Sequence, residues 1–236
     1  MKKICVLAGI MMAFCSAQID AQLHYDLYYG LPGSAGSKTL DAGLSTPDIG
    51  KIADASSVPV MAKYSLSDKL EVGARITLGV LIEGADALNS VVVGAKQGLG
   101  ENSAVSVNLL APIGGAEDPG LALGYMMSTT CPITGLALNN HLQLGLLKGH
   151  AAKGIGIDLL IEPVKPLGEK MVGYLDILVA TNTDDIAGTP LAINLGPNVD
   201  FMLNETTAVN VGVVIGLAGD GKASEIGLGI TAIKGL

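Results

Sequence analysis

Cysteine is scarce in this chain and poorly placed for crosslinking. Of three, Cys5 and Cys15 fall in an N-terminal segment that reads as cleavable, which leaves Cys131 alone and excludes an intrachain disulfide once that segment is removed. Stability must then come from burial and backbone pairing. Basic residues are outnumbered 14 to 22, for a net charge of -8. That balance excludes a nucleic-acid partner, because phosphate recognition needs a basic surface. A spanning helix is missing too, since it needs about 20 continuous apolar residues. The closest stretch, Leu121 to Leu147, carries no acid, lysine or arginine, but Pro132, Asn139, Asn140, His141 and Gln143 interrupt it and Leu recurs at nearly every second position. Period 2 is the signature of a strand. Aromatics are sparse as well: no Trp, two Phe and six Tyr cannot complete girdles at both membrane interfaces.

What is present is apolar and rich in glycine: 49% hydrophobic, 15% charged, 32 glycines and a mean hydropathy of +0.50. Lys2 and Lys3, an apolar run from Ile4 to Phe14, and then Cys15-Ser16-Ala17 read as a secretory signal peptide over 1–21, cleaved near 17 or 21. Phe14 before Cys15 argues against a lipoprotein. Residues 22–236 form one domain of a size that fits a single barrel. An exported, apolar chain without a spanning helix crosses lipid as a closed β-barrel.

Five polar turns recur at nearly constant spacing. They are Leu66-Ser67-Asp68-Lys69, Leu99-Gly100-Glu101-Asn102, Ile133-Thr134-Gly135-Leu136, Leu167-Gly168-Glu169-Lys170 and Leu203-Asn204-Glu205-Thr206, with first residues 33, 34, 34 and 36 positions apart. A fixed period of this length, with alternating patterns between the turns, is a repeated hairpin. Five tight turns on one rim imply six loops on the other. The expected architecture is an all-β, transmembrane, up-and-down antiparallel barrel of about 12 strands, at 23–29, 58–66, 70–80, 90–98, 103–112, 120–128, 136–147, 153–163, 171–181, 190–202, 207–218 and 224–235. The segment 30–57, rich in Gly, Ser, Ala and Asp, reads as a long first outer loop.

Strand faces follow from the cost of charge in hydrocarbon. Leu70, Val72, Ala74, Ile76, Leu78 and Val80 share one face, and Glu71, Gly73, Arg75, Thr77 and Gly79 the other. The opposite register would put a charge near the midplane at about 2–4 kcal/mol, so the apolar set faces lipid. A β-sandwich would need Lys, Glu, Ser and Thr on its wet face, and here that face is mostly Gly, Ala and Asn. Strands two to four then contribute inward Lys63, Arg75 and Lys96, and strands eight to ten contribute inward Asp158, Glu162, Asp176 and Asp200. Glu71 and His141 also point in. Strands six apart face each other in a 12-strand barrel, so a basic wall is expected to oppose an acidic one. Counting from the turns puts Arg75, Glu162 and Asp176 at one height, above Lys63, Lys96 and Asp200. Opposed walls suit a selective polar path, or they pair across a narrow lumen and plug it.

The hairpin Ala62-Lys63-Tyr64-Ser65-Leu66-Ser67-Asp68-Lys69-Leu70-Glu71-Val72-Gly73 resembles the Tyr-Gly-Leu-Thr-Asp-Arg-Leu-Glu-Leu-Gly hairpin of outer-membrane proteins linked to meta-cleavage phenol-degradation gene clusters. Residues 203–212 are similar to a weaker copy. The resemblance implies a bacterial outer-membrane barrel that passes small, often hydrophobic, molecules.

Catalysis is not expected. His141 could join Asp176 or Glu162, but no nucleophile motif accompanies it, no cluster has metal-ligand spacing, and no cofactor is implied. Gly216-Leu217-Ala218-Gly219-Asp220-Gly221-Lys222-Ala223 imitates a phosphate-binding loop, yet Ala223 replaces the magnesium-binding hydroxyl and a strand pattern follows. The expected role is an outer-membrane channel or transporter for passive passage of small solutes; the alternative is a structural or surface-interaction barrel with a closed lumen. Expected partners are outer-membrane lipid, the barrel-assembly machinery and a small solute. Acidic loop pairs Glu117-Asp118 and Asp184-Asp185, with Asp220, also suit divalent-cation bridging to lipopolysaccharide.

Overall fold

The computed structural model describes residues 31–46, 56–82, 88–112, 119–131, 134–147, 154–183, 191–218 and 226–235. Within them, twelve antiparallel strands close in sequence order: β1 (Lys38–Thr46), β2 (Ser56–Ser67), β3 (Leu70–Ile82), β4 (Leu88–Gly98), β5 (Ser103–Pro112), β6 (Gly120–Thr130), β7 (Ala137–Gly145), β8 (Gly156–Pro166), β9 (Met171–Asn182), β10 (Ala192–Asn204), β11 (Thr207–Ala218) and β12 (Ile226–Gly235). Closure is made by β1, which pairs on one side with β2 (Leu40 opposite Ala62) and on the other with β12 (Leu40 opposite Lys234). No sheet edge remains, as a chain in hydrocarbon requires. The five repeated turns join β2–β3, β4–β5, β6–β7, β8–β9 and β10–β11 on one rim. Short turns face the periplasm in barrels of this kind. β1 begins and β12 ends at that same rim, where Thr39 lies opposite Gly235.

The first strand corrects the sequence expectation. Residues 23–29 lie outside the described residues, and within the expected loop 30–57 the structure forms β1. Its alternation is genuine, with Leu40, Ala42 and Leu44 outward and Thr39, Asp41 and Gly43 inward, but the residues are few and small and follow a Gly/Ser-rich run. Residues 31–37 fold under the short-turn rim rather than over the outer one. Gly36 donates its N–H to the Ser65 carbonyl (2.8 Å), Ser65 donates back to that of Ser37 (3.0 Å), and Ala35 donates to the Asp68 carboxylate (2.8 Å). The turn needs Gly36, whose φ is +82°. The signal peptide and the acidic loop pairs lie outside the described residues. So does most of the phosphate-loop mimic, whose opening residues Gly216–Ala218 end β11.

Side chains on the outward face are apolar and uncovered. Val107, Leu109, Leu123 and Leu142 are 41%, 51%, 42% and 39% exposed on strands β5 to β7. A continuous apolar exterior of this extent belongs in lipid. Among the described residues the outward aromatics are Tyr64, Tyr125 and Phe201, each close to the short-turn rim, where the turn-opening leucines Leu66, Leu99, Leu167 and Leu203 are also exposed. Leucines at a repeated position thus extend a girdle that the aromatics only begin. No described helix is long and apolar enough to span a membrane.

Replacing Val107 by Arg is expected to destabilise the folded barrel by about 2–4 kcal/mol. Urea titration in phospholipid vesicles measures this, and an unchanged midpoint would place Val107 away from hydrocarbon.

Candidate functional site

Alternation fixes the lumen lining. The ladder puts Lys63 (β2), Glu71 and Arg75 (β3), Lys96 (β4), His141 (β7), Asp158 and Glu162 (β8), Asp176 (β9) and Asp200 (β10) on the inward face. β2–β4 lie six places around the ring from β8–β10, so the two groups face each other.

The first wall is not simply basic. Glu71 and Lys96 are direct cross-strand partners, and the ammonium donates to the carboxylate at 2.9 Å. Lys63 Nζ lies 3.9 Å from Oδ2 of Asp41 on β1. Glu71 Oε2 also accepts from Ser65 Oγ (3.3 Å) and from the Gly33 N–H (3.2 Å). Residues 31–37 therefore reach the lumen floor. All four charged groups are buried. Their desolvation is offset because each has a partner and the remaining lone pairs of Glu71 are used.

The second wall is acidic and lined with carboxamides. Asn139 lies opposite Glu162 on the ladder and donates to it at 2.7 Å; Asn210 lies opposite Asp200 and donates at 2.6 Å. Asn198 donates to Asp176 (2.9 Å) and Gln143 to Asp158 (3.4 Å). Asn210 also donates to Asn198 (3.2 Å), which joins three strands. Tyr174, buried, stands among Asp200, Glu162 and Asp176. Hydrogen bonds to charged acceptors are worth about 1.5–3 kcal/mol each, so the amides hold four acids in place without cancelling their charge. Glycine provides the room. A Cβ on Gly212 would come 2.7 Å from Asn198 Cβ, and one on Gly124 would collide with Ser106 and His141.

His141 lies opposite Met126 and Leu160. No ladder position sets it opposite Asp176 or Glu162. Exposure varies along the lumen. Lys63, Glu71, Lys96, His141, Glu162 and Asp200 are buried, and Met61 and Val92 pack with Leu110 in the same region. Arg75, Asp158 and Asp176 are half-buried, and inward Val214, towards the long-loop rim, is 51% exposed. Glu162 is buried although the β8–β9 register sets it across from half-buried Asp176. Around β9–β11 the lumen is more open towards the long loops than towards the short turns, whereas on β6 inward Gly120 and Ala122 near the long-loop rim are buried.

Asp41, Tyr174, the Met61–Val92 pair and the amide partners were not singled out from sequence. Asn and Asp at inward positions of β10 and β11 were the available signal, but pairing them needs the register.

No protein-family model matches the sequence, and no curated protein is similar to it by sequence. Solved structures are similar in fold. An outer-membrane channel from Pseudomonas putida F1 superposes with a TM-score of 0.61 at 13% identity, over 89% of this chain and 98% of that one. The KdgM porin, solved with disordered oligogalacturonate, gives 0.59 at 6% identity over 84% and 98%. The NanC porin gives 0.56 at 7% identity over the same shares. The fold is that of outer-membrane channels and porins, and with its apolar exterior the barrel sits in the bacterial outer membrane.

Lys96→Met should destabilise the barrel by about 3–5 kcal/mol, since it strands buried Glu71. Adding Glu71→Leu should recover most of that loss. A double-mutant cycle in urea checks both, and additive effects would show that the pair is not coupled.

Proposed function

We propose that this barrel is a channel for passive passage of small uncharged or cationic solutes across the outer membrane. One observation carries this reading: among the described residues the inward face holds six carboxylates (Asp41, Glu71, Asp158, Glu162, Asp176, Asp200) against three cations (Lys63, Arg75, Lys96). Fixed charge of one sign in a narrow, low-dielectric passage repels co-ions and concentrates counter-ions. Half-buried Asp158, Asp176 and Arg75 lie where a solute entering from the long-loop side would meet them. Met61 and Val92, which flank Arg75 on the ladder, and the Lys96–Glu71 pair nearer the short turns are then the constriction that sets size. The hairpin resemblance to proteins of phenol-degradation clusters supports phenol-sized solutes with one apolar and one hydroxylated edge. The amides and acids of β7–β11 offer hydrogen-bond partners to such an edge.

The packed part of the lumen also favours a second reading, a closed barrel that acts through its loops. Conductance separates the two.

Purified protein in planar bilayers should give small, cation-preferring currents. Asp158→Asn with Asp176→Asn should move the reversal potential in a salt gradient towards zero. Absence of both conductance and solute flux in proteoliposomes would reject the channel and leave the closed barrel.

A further inference from the structure

The lipid-facing exterior carries a groove of about 660 Å³ at the short-turn rim, walled by Leu40, Tyr64 and Val72. Its depth comes from Ala62, which lies opposite Leu40 and leaves only a methyl where neighbouring rows carry larger side chains. Lys38 lines it, and Lys234 flanks it on the next strand. Lys38 lies opposite Tyr64 on the ladder, with its Nζ 5.9 Å from the ring centroid, and Lys234 on β12 lies opposite Leu40. Both are exposed and outward.

An outward charge at the edge of hydrocarbon is tolerated because the lysine stem lies along apolar surface and lifts its ammonium to the headgroups. Two such cations beside one apolar groove, on adjacent strands, complement a single lipid with a negative headgroup and a flexible acyl chain. The short-turn rim faces the periplasm, which selects the phospholipid leaflet over the lipopolysaccharide leaflet. We propose that this groove binds one anionic phospholipid of the periplasmic leaflet, with its acyl chain against Leu40, Ala62, Tyr64 and Val72 and its phosphate between Lys38 and Lys234. The site is independent of whether the lumen conducts.

The chain has no Trp, so Tyr64→Trp gives a single fluorescent reporter in the groove. In phosphatidylcholine vesicles, brominated phosphatidylglycerol should quench this Trp at lower mole fraction than brominated phosphatidylcholine. Each lysine near an anionic headgroup is worth about fivefold in lipid affinity. Adding Lys38→Gln and Lys234→Gln should bring the preference to within about twofold of none. Lys165→Gln, an exposed lysine near the same rim at the end of β8, should leave the preference unchanged. Equal quenching by the two lipids would overturn the site, as would a loss from Lys165→Gln equal to that from the groove lysines, which would mark a diffuse surface attraction. Native mass spectrometry gives a second readout that needs no Trp. Unmodified protein should retain one phosphatidylglycerol that the Lys38→Gln, Lys234→Gln protein loses, and equal retention would count against the proposal.

Discussion

Every part of this molecule depends on one requirement: no backbone N–H or C=O can be left without a partner in hydrocarbon. Each such group costs several kcal/mol in the membrane core. A sheet meets the requirement only by closing, and here β1 makes the closure by pairing with both β2 and β12. Once the ring is closed, alternation assigns every side chain to lipid or lumen. A shift of one residue in β3 or β8 would move Arg75 or Glu162 outward, so the register of those strands is fixed along with the closure.

Closure also explains why so many ionisable groups are tolerated inside. The ring is narrow, so inward side chains meet neighbours on adjacent strands. Glu71 with Lys96, Glu162 with Asn139 and Asp200 with Asn210 are all direct ladder partners. The two walls solve the same desolvation problem in different ways. Near β2–β4 opposite charges pair and cancel. Near β8–β10 amides supply donors but no charge, so the negative field survives. That asymmetry gives the lumen its sign, and it is what a passing solute would sense.

Most of the architecture was legible in the sequence because its signals are local. The turns at Leu66, Leu99, Leu167 and Leu203 and the alternation of Leu70 to Val80 each need only neighbouring residues, and the observed strand ends lie within a few residues of those expected. The first strand was hidden because its outward set, Leu40, Ala42 and Leu44, is short and its inward set looks like loop. Losing it also lost Asp41, so the first wall looked more basic than it is. Nor could alternation show how full the lumen is. Whether Met61, Val92 and Leu110 narrow it depends on side chains from three strands of one wall packing together.

The central claim is a period of two between lipid and lumen around a closed ring. Nitroxide labels placed one at a time on β5 from Ala104 to Leu110, with protein in vesicles, test it most directly. Val105, Val107 and Leu109 should favour oxygen over a water-soluble nickel relaxer, and Ala104, Ser106, Asn108 and Leu110 should not. Accessibility without a two-residue period, or odd positions shielded from oxygen in a dry protein interior, would contradict the account.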